Sequence, residues 1–202
     1  MFPARRLADF SVPFFACLLF LAGCAQKDTA HRIVISIPDQ RMLVLEQDRP
    51  IAQYQVSTSK FCLSDLPGSR GTPIGRLAIA RKIGGSAPPG SVFKDQRRTG
   101  EILLPDAPGR DPIVSRILWL KGLEPATRNA FSRYIYIHGT AEERLIGTPA
   151  SYGCIRMRSA DVIQLFDMVG VGAEVDITQQ TLAQATGANG DTGQFVFSTL
   201  RP

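Results

Sequence analysis

Ile33-Val34-Ile35-Ser36-Ile37-Pro38-Asp39-Gln40-Arg41-Met42-Leu43-Val44-Leu45-Glu46 is the stretch that decides the fold class. Two short apolar runs flank a Pro-Asp-Gln break, which reads as two strands joined by a turn. Working outward, Ile51 to Thr58 is a third strand, alternating through Tyr54 and Val56. Arg76 to Lys82 is another, entered through Thr72-Pro73-Ile74-Gly75. Ile117-Leu118-Trp119-Leu120 reads as a buried strand, Arg133 to His138 as a strand ending at Gly139, and Glu174 to Ile177 as a closing strand. Short strands at near-regular spacing, divided by Gly/Pro turns, indicate a mainly β fold of sandwich or barrel type rather than βαβ units. One helix interrupts them. Val162, Ile163, Leu165, Phe166 and Val169 share a helical face, with Ser159 as N-cap and Gly170 and Gly172 as the stop. Between Ile83 and Val114, Gly84-Gly85, Pro88-Pro89-Gly90, Pro105, Pro108-Gly109 and Pro112 predict a long loop, and loops beyond about 12–15 residues in a compact domain are usually lids or disordered segments.

The first residues are not part of this domain. Arg5 and Arg6 precede an apolar run from Phe10 to Ala22, which Leu21-Ala22-Gly23-Cys24 closes with small residues and a cysteine. A basic start, a short apolar run and a small-residue cleavage site make a secretory signal. The run is shorter than the roughly 20 residues a membrane-spanning helix needs. The expected organisation is a signal over 1–23, a tether over 24–31, a folded domain over 32–178 and a loose tail over 179–202. Removing Arg5, Arg6 and Asp9 from 23 basic and 18 acidic residues leaves 21 against 17, a mild excess that suits an anionic polymer or membrane surface. No basic block is interleaved with aromatics, which argues against nucleic acid.

Of four cysteines, Cys17 leaves with the signal, and only Cys62 and Cys154 stay in the folded part. In an oxidising compartment these two are candidates for a bridge. No metal or other cofactor is expected, because the whole chain holds two histidines and no Cys-x-x-Cys. The alternative to a bridge is chemistry at Ile137-His138-Gly139-Thr140 and Ser151-Tyr152-Gly153-Cys154-Ile155-Arg156-Met157. A cysteine attacks as the thiolate and needs a neighbour that takes its proton. His138 at a strand end is placed for this, and the carbonyl of Gly139 or the hydroxyl of Thr140 can orient its ring. The amides of Gly153 and Cys154 can form an oxyanion hole.

His138-Gly139-Thr140, Gly147, Pro149, Ser151 and Gly153-Cys154-Ile155-Arg156-Met157, with the helix that follows, resemble the signature of the L,D-transpeptidase (YkuD) catalytic domain. Gln40 to Ser59 and Thr72-Pro73-Ile74-Gly75 are similar to that family's opening strands and Thr-Pro-x-Gly turn, so the resemblance covers 32–178 and is weakest in the central loop. It implies a thiol acyltransferase acting on peptidoglycan stem tetrapeptides, with an amine on a second stem or an anchored protein as acceptor. Carried over by position, Cys154 is the nucleophile, His138 the base and Gly139 its orienting partner. Gly153 and Cys154 supply the oxyanion hole, Ser151 and Tyr152 face the substrate, and Arg156 holds either the site or a substrate carboxylate. The family often has histidine where this chain has Tyr152, which cannot carry the proton at neutral pH. The loop residues Arg97 and Arg98 are expected to contact the acidic stem peptide. Leu-Ala-Gly-Cys is similar to a bacterial lipobox, which implies a lipidated Cys24; Ala25 after it points to the outer membrane, on the periplasmic side of the envelope. Two further functions stay open: hydrolysis of the same bond class by an L,D-carboxypeptidase or amidase, and a wall-binding lipoprotein whose Cys154 is locked to Cys62.

Overall fold

The computed structural model describes residues 26–187. The expected signal segment and Cys24 lie outside the described residues, as do residues 188–202. Ten strands form one sheet: β1 (His31–Ser36), β2 (Arg41–Glu46), β3 (Arg49–Gln55), β4 (Gly75–Ile83), β5 (Ser91–Lys94), β6 (Arg97–Ile102), β7 (Ile113–Gly122), β8 (Tyr136–Thr140), β9 (Ile155–Met157) and β10 (Glu174–Thr178). Two α-helices, α1 (Ser159–Met168) and α2 (Leu182–Ala185), complete it.

The spatial order is β3-β2-β1-β10-β4-β7-β5-β6, with β8 against β7 and β9 against β8. The β1–β10 and β8–β9 pairs are parallel. Just beyond β3, Ser57 and Arg156 exchange backbone hydrogen bonds of 3.0 and 2.9 Å, so β9 meets the chain leaving β3. The sheet therefore curls back on itself around one core, the barrel-like form expected of a mainly β chain. Gln40 secures this closure from inside the β1–β2 turn. Its buried side chain donates to Thr58 Oγ1 at 2.8 Å and accepts from the Thr58 amide at 2.9 Å.

Side-chain alternation sorts residues between the two faces. Leu118 and Leu120 of β7, Ile137 of β8, and Ile155 and Met157 of β9 enter the main core with Val162, Leu165 and Phe166 of α1. Ile117 and Trp119 of β7 and Tyr136 of β8 point the other way, into a second cluster with Phe93 and Cys154. On β2, Met42 and Val44 join the main core while Leu43 and Leu45 face outward with Val34. That outward face explains a correction to the tail. Leu182 and Ala185 of α2 cover it, so the chain after β10 is not loose up to Gly187. Thr181 and Gln184 form a reciprocal capping box at the start of α2, and the Leu182 amide donates to Asp39 Oδ2 at 2.7 Å. The tether is also docked at its end, where Asp28 accepts from the Gly170 amide at 2.6 Å.

Two further expectations are corrected. The Ile83–Val114 segment is not all loop: β5 and β6 form a hairpin, and β5 takes over the edge of β7 that β4 leaves. Its glycines and prolines lie mostly at the turns, and Phe93 anchors it in the second cluster. Ser159 is the first helical residue rather than the N-cap; Glu143 Oε1 accepts its amide at 2.8 Å, a carboxylate at a helix N-terminus.

Candidate active site

β8 and β9 lie parallel, with Ile137 opposite Ile155 and His138 opposite Arg156. Because Ile137 and Ile155 both enter the main core, His138 and Arg156 project from the opposite face. Cys154, immediately before β9, falls on that same face by the period of two and packs against the cluster that holds Tyr136. The strand pairing thus assembles a histidine on one face with a cysteine and an arginine sixteen and eighteen positions later in the chain.

A bulge in β7 shapes the histidine. The β7–β8 register shifts between Val114 and Ile117, opposite Gly139 and His138, and Ser115 takes φ 66°. A Cβ on Gly139 would lie 2.6 Å from the Val114 carbonyl oxygen, so only glycine permits this approach. Gly139 O then sits 2.8 Å from His138 Nδ1. A carbonyl can only accept, so Nδ1 carries the proton and Nε2 is the free base. Of the two orienting groups considered, the Gly139 carbonyl takes the role. Thr140 Oγ1 donates instead to Asp111.

His138 is 5% exposed. Burial lowers its pKa to about 4, opposed by the Gly139 hydrogen bond; the imidazole is neutral at pH 7. Burial likewise raises the pKa of Cys154, against the pull of the Tyr136 backbone and the Arg156 and Arg133 charges toward the thiolate. The resting pair is therefore thiol and neutral imidazole, with the Tyr136 backbone, Arg156 and Arg133 offsetting only part of what burial costs the thiolate. The thiol contacts the Tyr134 carbonyl at 3.4 Å. No bridge joins it to Cys62: both thiols are free, and Cys62 is exposed.

The cysteine turn is braced from below. Gly153 has φ 119°, and a Cβ there would meet Gly71 O at 2.9 Å. Thr72 Oγ1 donates to Gly153 O at 3.1 Å. Ser151, expected to face substrate, is fully buried. It accepts from the Gly153 amide at 3.1 Å and donates to Cys154 O at 2.6 Å, which makes it a brace of the turn. The Gly153 amide is thereby engaged, and the Cys154 amide is the remaining oxyanion donor of the expected pair. Arg156, expected to hold the site or a substrate carboxylate, is 8% exposed and held by acids. Its Nη2 meets Asp111 Oδ2 at 2.7 Å as an ion pair without hydrogen-bond geometry, and Nη1 lies 3.8 Å from Glu142. Tyr152 alone of the three is open to solvent, 55% exposed, on a cleft of about 670 Å³ that Arg156 also lines.

Sequence reasoning missed Asp111, Glu142 and Arg133. Arg133 is buried beside Asp65 and donates to the carbonyls of Ser64 at 2.9 Å and Gly71 at 2.8 Å. It thereby holds the loop that supports Gly153. Its place in a predicted strand gave no signal of this; a buried arginine is legible only with its partners. Arg97 and Arg98 are exposed on β6 rather than in a loop. Beside that hairpin, Gln96 Nε2 donates to Tyr136 Oη at 3.0 Å. Among the described residues no group of three or more His, Cys, Asp or Glu side chains is placed to hold a metal ion.

The family model for the L,D-transpeptidase (YkuD) catalytic domain matches residues 30–177. The chain belongs to this family. Among L,D-transpeptidases, it is 26% identical over 162 residues to the YkuD protein of Bacillus licheniformis, covering 79% of this chain and 73% of that one. A shorter match of 68 residues, 43% identical, reaches the Escherichia coli ErfK/SrfK L,D-transpeptidase and spans 34% of this chain and 22% of that protein. A solved L,D-transpeptidase from Xylanimonas cellulosilytica aligns at 18% identity with TM-score 0.48, over 76% of this chain and 62% of its own. As a member of this L,D-transpeptidase family, the domain is a cysteine-dependent acyltransferase.

Proposed function

We propose that the protein is an L,D-transpeptidase of the bacterial cell envelope that acts on peptidoglycan stem tetrapeptides through a thioester on Cys154. The observation that carries this is the pairing of β8 with β9, which puts a Nδ1-protonated His138 and Cys154 on one sheet face. His138 Nε2 takes the thiol proton as sulfur attacks the carbonyl between the third residue and the terminal D-alanine. The Cys154 amide meets the oxyanion, and D-alanine leaves with the proton from the imidazolium. An acceptor amine then attacks the thioester, His138 takes its proton, and the thiolate leaves and is reprotonated. Gly139 orients the base; Arg156, tied to Asp111 and Glu142, holds the site rather than the substrate. The acceptor is an amine of a second stem or of an anchored protein.

Lipidation of Cys24 belongs to this reading, with the outer membrane as the address. Hydrolysis to give a free tripeptide is the competing outcome of the same acyl-enzyme. Incubation with stem tetrapeptide and separation of products by mass decides between them: a cross-linked dimer with released D-alanine is expected, whereas tripeptide alone establishes a carboxypeptidase. The bridged, inert lipoprotein is disfavoured by two free thiols.

A further inference from the structure

Beside the cysteine turn, two cations lie against two exposed aromatic rings. Lys60 Nζ is 4.7 Å from the centroid of the Tyr152 ring and 5.4 Å from that of Phe61. The Arg70 guanidinium is 5.5 Å from the Phe61 centroid and 5.8 Å from that of Tyr152. The rings are 5.2 Å apart and tilted, with Phe61 48% and Tyr152 55% exposed. Such large apolar exposure next to a reactive thiol is a surface awaiting a ligand more readily than a packing defect.

The group is held rigidly to the nucleophile. Ser59 bridges to Ser151, and the Lys60 amide donates to the Ser151 carbonyl at 3.1 Å. Ser59 Oγ donates to the Arg70 carbonyl at 2.7 Å. Arg70 takes φ 56°, a left-handed conformation that is uncommon outside glycine and often marks a functional site. Charge decides what the surface takes. Among the described residues neither Lys60 nor Arg70 has a carboxylate within ion-pair distance, whereas Arg156, on the same cleft, is matched by Asp111 and Glu142. The cleft thus has an arginine matched by acids on one side and an unmatched Lys60 with Tyr152 on the other, and Arg70 adds a second unmatched charge against the same Tyr152 ring.

We infer that Lys60 and Arg70, propped on Phe61 and Tyr152, form a carboxylate-binding site for the acyl-donor peptide. Tyr152 is two residues from Cys154, at most about 7 Å along the chain. The carboxylate bound is one that the donor peptide presents beside the cysteine turn. This rests on the proposed stem-peptide substrate, and it gives Tyr152 a role that a proton-carrying histidine would not fill: a ring that stacks the cations and positions their charge.

Binding, measured apart from turnover, tests it. The Cys154→Ala protein is titrated calorimetrically with a stem tetrapeptide whose carboxylates are free and with the same peptide fully amidated. Amidation is expected to weaken binding roughly tenfold, the scale of one charge-assisted contact. In Cys154→Ala carrying Lys60→Gln and Arg70→Gln, the free peptide should bind as weakly as the amidated one, with no further loss on amidation. Lys27→Gln with Arg49→Gln removes the same charge from the opposite end of β1–β3 and should leave the discrimination intact. Equal binding of the two peptides, no binding of either, or discrimination that survives Lys60→Gln/Arg70→Gln overturns the inference. Circular dichroism confirms that each variant is folded. Turnover of either peptide by the parent enzyme reports separately on the transpeptidase reading.

Discussion

His138 carries two consequences of one burial. Its ring is held neutral inside the protein, with its pKa lowered from 6.5 to about 4, while an unfolded chain protonates it at its ordinary value. Between those values the unfolded state binds more protons, so the stability contributed by a neutral His138 is full above about pH 6.5 and falls as pH drops toward 4. The loss amounts to about 3 kcal/mol over that window. Urea unfolding at pH 7 and pH 4.5 should show it in the wild type, and His138→Gln should remove that part of the pH dependence. An equal decline in both proteins would mean that other groups dominate acid sensitivity. The residues of the site divide by how they can be read. Cys154, His138 and Gly139 were legible because their chemistry and their spacing are local to two short motifs. Ser151 and Arg156 stand in the same motif, yet their work is structural here: one braces the turn, the other is matched by acids. Asp111 and Glu142 come from distant or polar segments, and no pattern links them to Arg156 until the sheet curls.

At the scale of elements, short apolar runs between Gly/Pro breaks located β1, β2, β4 and β10 closely. The β5–β6 hairpin escaped because frequent Gly and Pro read as loop, although most of them sit at its turns. β9 escaped because three residues give too little periodicity to detect. Helix α2 escaped for a different reason: its sequence is small and polar, and it folds because β1 and β2 present Val34, Leu43 and Leu45 on a second apolar face. Breaking that cover carries a cost. Leu182→Asp puts a charge against this partly buried face and should lower stability by roughly 1–3 kcal/mol in urea unfolding, while the rate of acyl-enzyme formation stays within twofold or so. An unchanged midpoint would show that α2 rests on the sheet without stabilising it.

For the whole molecule, the curled sheet explains why the candidate site draws on β8, the turn before β9 and the loop after β3. Closure of β9 on Ser57 brings the Lys60–Tyr152 surface, the Gly71–Thr72 support and the Cys154 turn together. Among the described residues no helix is long and apolar enough to cross a membrane. The proposed anchor is Cys24. Cys24→Ser, expressed in full length, should move the protein from the membrane pellet to the soluble periplasmic fraction with its folded domain still active. Wild-type protein found wholly in the soluble fraction would dismiss the anchor.

In the proposed mechanism Cys154 becomes acylated with His138 as its base. Intact-mass spectrometry of the protein during reaction with a stem tetrapeptide measures this directly, with proteolytic mapping of the adduct. The wild type and Cys62→Ser should gain the peptide minus D-alanine on Cys154, and Cys154→Ala should gain nothing. His138→Ala should acylate about 10²–10⁴-fold more slowly, the contribution of a positioned base. An adduct on Cys62, or near-wild-type acylation of His138→Ala, would contradict the claim.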